Sequence, residues 1–153
     1  MRVTRVADLV ESDAVELDQA VFHLMRRAMQ EHSANWQARL PHLTKPQYAV
    51  LNAIRENPGI EQAALGQRAA IDKATLASLL VRMEQRGLIT RTVDRTDRRR
   101  RLLDLTAAGR AELRAVTPIA DAVDAELLDR LAPHERTELH RLLGKLAPPG
   151  ALS

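Results

Sequence analysis

The densest chemistry in this chain is a run of guanidinium groups. Arg91, Arg95, Arg98, Arg99, Arg100 and Arg101 fall within eleven residues, with Asp94 and Asp97 as the only acids among them. The local charge is +4 against a net +3 for the whole chain, so the remainder carries −1. Basicity focused in one place is the electrostatic footprint of a polyanion partner. Asp97 inside such a loop is a poor phosphate ligand but a good partner for orienting an arginine.

A second group of polar side chains lies just upstream. From Lys73 to Met83 there is no acid, and one helical face presents Ala74, Thr75, Ala77, Ser78, Val81, Arg82 and Gln85. Small residues at Ala74, Ala77 and Ser78 let a backbone approach a surface closely. Lys73, Thr75, Ser78, Arg82 and Gln85 supply hydrogen-bonding groups, as a helix in the major groove requires. A merely solvated helix would more typically alternate Glu and Lys.

These groups need a scaffold. Ser12, Asp13 and Glu16 read as a helix start, and no Gly or Pro interrupts the chain from there to about Arg39. The expectation is one long helix of about 26 residues, ~40 Å. Its apolar lines are Leu17, Val21, Leu24, Ala28 and Phe22, Met25, Met29, His32, Trp36, broad enough for a dimer interface. Thr44-Lys45-Pro46-Gln47 is a capping box for a second helix, with Tyr48, Leu51 and Ile54 inward, that stops at Asn57-Pro58-Gly59. A short helix over residues 62–69 is anchored by Leu65. Ala70-Ile71 make a tight turn, and Asp72 caps the helix from Lys73 to Arg86, whose inner arc is Leu76, Leu79, Leu80 and Met83. Gly87 suits a left-handed C-terminal position, with Leu88 against Met83. Residues 88–93 and 102–105 are β-type runs flanking the arginine loop, which makes a hairpin wing. Thr106 caps a further long helix that Pro118 is expected to kink or split. A last helix from Pro133 shows Leu139, Leu142, Leu143 and Leu146.

The totals narrow the classes. The 153 residues suit one domain with a real core, and the aromatic share of 2% leaves that core to aliphatic residues that favour helices. With no cysteine there are no disulfides, thiol nucleophiles or thiolate metal sites. No apolar run approaches the roughly 20 residues of a membrane span, and the N-terminus lacks a signal-peptide core, so a cytoplasmic protein is expected. No glycine-rich phosphate loop, nucleophile motif or catalytic carboxylate pair is present, so no enzyme activity and no cofactor are expected. Stacking aromatics are missing near the basic patch, which disfavours a single-strand binder.

Four stretches then carry a family resemblance: residues 72–80 (Asp-Lys-Ala-Thr-Leu-Ala-Ser-Leu-Leu), residues 83–89 (Met-Glu-Gln-Arg-Gly-Leu-Ile), residues 94–99 (Asp-Arg-Thr-Asp-Arg-Arg) and residues 105–109 (Leu-Thr-Ala-Ala-Gly). Together they resemble the MarR family of bacterial regulators over almost the full chain. The family's wing usually reads Asp-Pro-Arg-Asp-Arg-Arg, and Arg95 and Thr96 depart from it. The resemblance implies a mainly α fold with a small β-hairpin wing: a winged helix-turn-helix with N- and C-terminal dimerisation helices. The lobe would cover about residues 44–105 and the dimerisation helices about 9–40 and 107–147, all in one domain spanning 1–153. It further implies a homodimer on a pseudo-palindromic double-stranded DNA operator, commonly as a repressor. Lys73, Ala74, Thr75, Ser78 and Arg82 would face bases, Arg98 or Arg99 would enter the minor groove with Asp97 holding the loop, and Arg100 would add phosphate affinity.

Many such regulators are released by small anionic aromatic compounds bound where the dimer helices meet the lobe. His23, Arg27, His32, Trp36, His42 and Tyr48 could line that cleft here, Trp36 and Tyr48 as the flat wall and the others as donors to a carboxylate. Three of the five histidines and all three aromatics lie between positions 22 and 48. A phenolic or nicotinate-like carboxylate is the expected effector class. The alternatives are a ligand-independent or a metal-responsive regulator. For the latter, His134 and His140 are six apart rather than the three or four that place two ligands on one helical face.

Overall fold

The computed structural model describes residues 16–150. Its helices and strands, in chain order, are α1 (Val21–Arg39), α2 (Lys45–Glu56), β1 (Ile60–Glu61), α3 (Gln62–Ala69), α4 (Lys73–Gln85), β2 (Ile89–Val93), β3 (Arg101–Leu105), α5 (Ala107–Leu128) and α6 (Pro133–Leu146).

The first helix is shorter than its composition implies. A 3-10 turn at Leu17–Gln19 precedes it, Ala20 is extended (φ −69°, ψ 121°), and α1 begins only at Val21. At 19 residues it spans about 28 Å. The Ser12-Asp13 start lies outside the described residues. Of its apolar lines only Trp36 is buried, while Phe22 is 76% and Val21 61% exposed within the single chain. The same holds for α6, which buries no residue and leaves Leu139, Leu142, Leu143 and Leu146 exposed.

The lobe is built from local signals that agree with one another. Thr44 accepts from the Gln47 N–H (3.3 Å) and Gln47 Oε1 accepts from the Thr44 N–H (3.0 Å), which closes the capping box of α2. Val50, Leu51, Ala53 and Ile54 then face inward. Ala70 adopts a left-handed conformation (φ 54°), turning α3 into α4. Leu76, Leu80 and Met83 bury the inner face of α4, with Leu79 half-buried against the same core. Gly87 (φ 73°) ends that helix: its N–H reaches Glu84 O (2.9 Å), and the Leu88 N–H reaches Met83 O (3.0 Å). That double closure is the Schellman motif. Leu88 therefore belongs to the helix cap, and β2 starts one residue later.

The wing strands pair antiparallel, with Ile89 opposite Leu105 and Val93 opposite Arg101. A third strand was not foreseen. Ile60–Glu61 pairs with Leu103 and Leu102 on the other edge of β3, giving the order β1-β3-β2. Two residues are too few for an alternation signal, so only Pro58-Gly59 marked the place. Pro118 does not split α5, which runs unbroken over 22 residues. Pro118 and Arg114, whose carbonyl it cannot pair, both lie on the exposed side of α5, and the Thr117 hydroxyl donates to Leu113 O (2.7 Å) beside them. Leu113, Val116, Ala120 and Val123 complete the core from α5. Among the described residues, no helix is long and apolar enough to cross a membrane.

Gly109 sits where α5 crosses Leu88. An added Cβ would collide with the Leu88 carbonyl oxygen and lie 2.9 Å from its carbonyl carbon, both backbone atoms that cannot swing away. Helix propensity alone favours Ala over Gly by about 1 kcal/mol. Gly109→Ala is nevertheless expected to destabilise by about 2–3 kcal/mol, read as a lower urea midpoint at fixed protein concentration. An unchanged or higher midpoint contradicts this close approach.

Candidate nucleic-acid interface

α4 is held by its ends and leaves its outer face clear. Asp72 Oδ1 accepts from the Thr75 N–H (2.9 Å), and Asp72 Oδ2 from the Thr75 hydroxyl (2.6 Å). These bonds hold the Asp72 carboxyl below its ordinary range, the hydroxyl contribution being the larger. The Thr75 proton is thus committed inward, and its oxygen keeps a lone pair to accept from outside. Lys73, Ala74, Thr75, Ser78 and Arg82 are all exposed. Between α4 and the start of α2 runs an open groove of about 450 Å³, lined by Thr44, Gln47, Ala74, Thr75, Ser78, Leu79 and Arg82. The outer face of the acid-free stretch is therefore open to solvent.

The arginines of the wing differ in what holds them. Asp97 accepts from the Arg99 amide (3.0 Å), its Nε (3.1 Å) and its Nη2 (3.3 Å), while the Arg99 side chain remains 91% exposed. The Arg99 side chain is also the main cause of a lowered Asp97 pKa. Arg100 instead turns back, pairing with Glu61 of β1 (3.0 Å) and Asp94 (3.4 Å), which raises its own pKa, Glu61 first. Arg101 donates to Arg98 O (2.9 Å). Among the described residues the Arg98 side chain has no ion-pair partner. Thr96, which stands where the family pattern has arginine, donates its N–H (2.9 Å) and hydroxyl (2.8 Å) to Asp94 Oδ1. Those two bonds, amide first, depress the Asp94 carboxyl and supply the loop rigidity that a proline would otherwise give. Glu61 as an arginine anchor could not be read from sequence, because it depends on β1.

The six residues marked for a small ligand divide into two sets. His32, Trp36 and Tyr48 come together, with ring centroids 6.1 Å apart for His32–Trp36 and 5.3 Å for Trp36–Tyr48. Two residues not foreseen complete the cluster. Lys45 Nζ approaches His32 Nδ1 at 3.2 Å, and His32 Nε2 lies 2.6 Å from Asp124 Oδ1 on α5. Donation by the ammonium makes Nδ1 the acceptor and leaves the Nε2 proton for Asp124. Trp36 is 6% exposed, and its N–H donates to Leu43 O (2.7 Å), so only part of the ring is open as a wall. The other three contact different groups. His23 lies beside Arg26 (3.5 Å), Arg27 beside Asp18 (3.5 Å), and His42 Nε2 is 3.1 Å from Glu112 Oε1. Lys45 was visible only as part of the capping box, and Asp124 lies 92 residues from His32 in sequence. Among the described residues no three His, Asp or Glu side chains gather as a metal site.

Two helices joined by a left-handed turn, followed by a charged hairpin, define a winged helix-turn-helix protein. The sequence profile of the MarR family matches residues 43–100. The transcriptional regulator HosA of Escherichia coli is 51% identical over 125 residues, covering 82% of this chain and 93% of HosA. Among solved structures, PcaV of Streptomyces coelicolor in complex with its natural ligand superposes with TM-score 0.83 at 34% identity, over 87% of this chain and 95% of PcaV. BpsR of Bordetella bronchiseptica, whose DNA binding is regulated by 6-hydroxynicotinic acid, gives TM-score 0.83 at 33% identity, over 87% and 96%. The chain belongs to the MarR family, as a transcriptional regulator of that type.

Asp72, Asp94 and Asp97 all have pKa values below the ordinary carboxylate range, so each stabilises the folded lobe at pH above about 4. That stabilisation is lost as pH falls through the depressed folded values. Asp72→Asn keeps a capping oxygen but cannot titrate, and Asp97→Asn removes the charge facing Arg99. The double variant should show a shallower decline of melting temperature between about pH 5 and 2, the window set by these carboxylates. An identical decline would assign the acid sensitivity elsewhere.

Proposed function

We propose that this regulator is a sequence-specific repressor that binds a pseudo-palindromic operator as a homodimer and leaves it on binding a small aromatic carboxylate. The observation that carries DNA binding is the joint exposure of an acid-free helix face and of an arginine braced at the wing tip. In this reading residues 44–105 are the DNA-binding lobe, and the described helices α1, α5 and α6 are the dimerisation helices. The uncovered apolar faces of α1 and α6 support that assignment, because Phe22 and Leu146 at 76% and 62% exposure are costly to leave in water.

Lys73, Ala74, Thr75, Ser78 and Arg82 take the major groove. Arg99 takes the minor groove, since Asp97 fixes its direction without covering it. Arg98 contacts phosphate, and Arg100 mainly ties the wing to β1. For the effector, the His32–Trp36–Tyr48 cluster offers an aromatic wall beside the Lys45 ammonium, a cation for a carboxylate. BpsR and its response to a nicotinate-type acid supports the same class. His23, Arg27 and His42 are flanking donors, reached only if their present contacts open.

Ser78→Glu should abolish operator binding while folding and dimerisation stay intact, because it places an acid among base edges. Arg98→Ala should lower the salt slope of binding by about 0.9, the value for one phosphate contact. Arg99→Ala should cost more affinity on the operator than on random duplex. Half-sites are expected about one helical turn apart. Normal operator binding by the Ser78→Glu variant would remove α4 from the groove. Titrating the operator complex with benzoate- and nicotinate-like acids should release DNA, and Lys45→Gln should blunt that release. No response across the panel would leave a ligand-independent regulator.

A further inference from the structure

Among the described arginines of the wing, Arg100 is the one flanked by two carboxylates, Glu61 of β1 (3.0 Å) and Asp94 (3.4 Å). On the reading that α4 and the wing take the DNA, on which this rests, we propose that Glu61 is a specificity-determining positioning residue. By holding Arg100 against β1 it withholds one cation from DNA phosphates and fixes the hairpin that carries Arg99.

Backbone pairing brings the three groups together before any side chain acts. Glu61 lies opposite Leu102 across β1 and β3, and Arg100 stands two residues before Leu102. That is the diagonal spacing at which long side chains of neighbouring strands meet. The loop fixes Arg100 at both of its backbone groups: its carbonyl accepts from the Asp94 N–H (3.1 Å), and its own N–H donates to Asp97 O (3.0 Å). The guanidinium fork then divides, Nη2 to Glu61 and Nη1 to Asp94 Oδ2. Asp94 Oδ1 is already taken by the Thr96 amide and hydroxyl, which holds Oδ2 in place for Arg100. Glu61 is the nearer carboxylate and the first cause of the raised Arg100 pKa, so it is the stronger of the two restraints.

Glu61 does not serve its own helix. It occupies the N-cap position of α3 with extended backbone (φ −69°, ψ 141°), yet its side chain makes no capping hydrogen bond. Capping belongs to shorter side chains such as Ser, Thr, Asp and Asn. The carboxylate reaches across to Arg100 instead, and with Asp94 it gives the trio a net charge of −1. A free arginine here would strengthen binding to every duplex alike, because phosphate contacts carry no sequence information. Holding it back lowers non-specific binding and leaves base readout by α4 untouched. An isolated exposed pair would be too weak for this, but three groups fixed by a sheet and a loop act as a network.

The test measures binding of the full chain over a salt series to two probes, a duplex selected for binding from a random pool and the unselected pool. Glu61→Gln should steepen the salt slope on the unselected pool by about 0.9 and tighten that binding about fivefold near 0.1 M salt. Affinity for the selected duplex should not rise in step, so the ratio of the two affinities falls about fivefold. Arg100→Gln should weaken binding to the selected duplex while its slope on the unselected pool stays at the wild-type value. In the Arg100→Gln background, Glu61→Gln should change neither slope nor ratio. An unchanged slope and ratio in Glu61→Gln overturn the proposal. A slope lower by about 0.9 in Arg100→Gln also overturns it, because Arg100 is then a phosphate contact in the native protein. An effect of Glu61→Gln that persists without Arg100 belongs to the charge at the start of α3 and overturns it equally. Ser78→Glu tells the two levels apart: if it abolishes binding while Glu61→Gln changes nothing, only the role of Glu61 fails. Should circular dichroism show Glu61→Gln unfolded, the slope of Arg100→Gln decides.

Discussion

The junction at Thr106 joins the three parts of the molecule on which regulation depends. Its hydroxyl donates to Gly87 O (2.5 Å) and accepts from the Gly109 N–H (2.9 Å), while its own N–H donates to Leu88 O (3.1 Å). One residue thereby fixes the end of α4, the entry of β2, the exit of β3 and the first turn of α5. Gly109 is required at the same crossing because α5 lies against the Leu88 carbonyl with no room for a side chain. The direction of α4 relative to the long α5 is consequently set by backbone contacts.

Rigidity at that junction gives the wing a base, and carboxylates then shape its tip. Asp94 and Asp97 use the short-range geometry of aspartate, accepting from amides two residues on, at Thr96 and Arg99. Each also faces an arginine, so the loop holds cations at fixed positions without enclosing them. Arg100 and Arg99 are neighbours in sequence with opposite roles: one folds back on Glu61, the other points outward. A run of like charges thus becomes a set of distinct contacts.

The other end of the lobe is tied to α1 and α5 through the segment between α1 and α2. Trp36 donates to Leu43 O (2.7 Å), and Arg86, just past α4, donates to His42 O (3.1 Å). His32–Asp124, Arg39–Glu126 and Glu31–Arg130 run along the α1–α5 seam as polar pairs. Exposed pairs of this sort contribute little stability individually. Their value is in registry, since they set which turn of α1 meets which turn of α5 around the aromatic cluster.

Much of this architecture is determined locally and was legible in the chain. Caps at Thr44, Asp72 and Thr106 and the stop at Gly87 are decided by contacts within a few residues, and the inner arc of α4 and the two wing strands are marked by residue patterns along the chain. Elements whose cause is distant were not legible. β1 exists because β3 offers an open edge to two residues that would not be a strand alone. Arg100 is turned inward by Glu61, and His32 is engaged by Asp124 from a helix almost a hundred residues later. Pro118 did not break α5, and it lies with Arg114, the residue whose carbonyl it leaves unpaired, on the exposed side of that helix, a fact of burial rather than of sequence. Short-range hydrogen bonds and apolar periodicity are written in neighbouring residues. Which side chains meet across elements is decided only when packing fixes the elements in space.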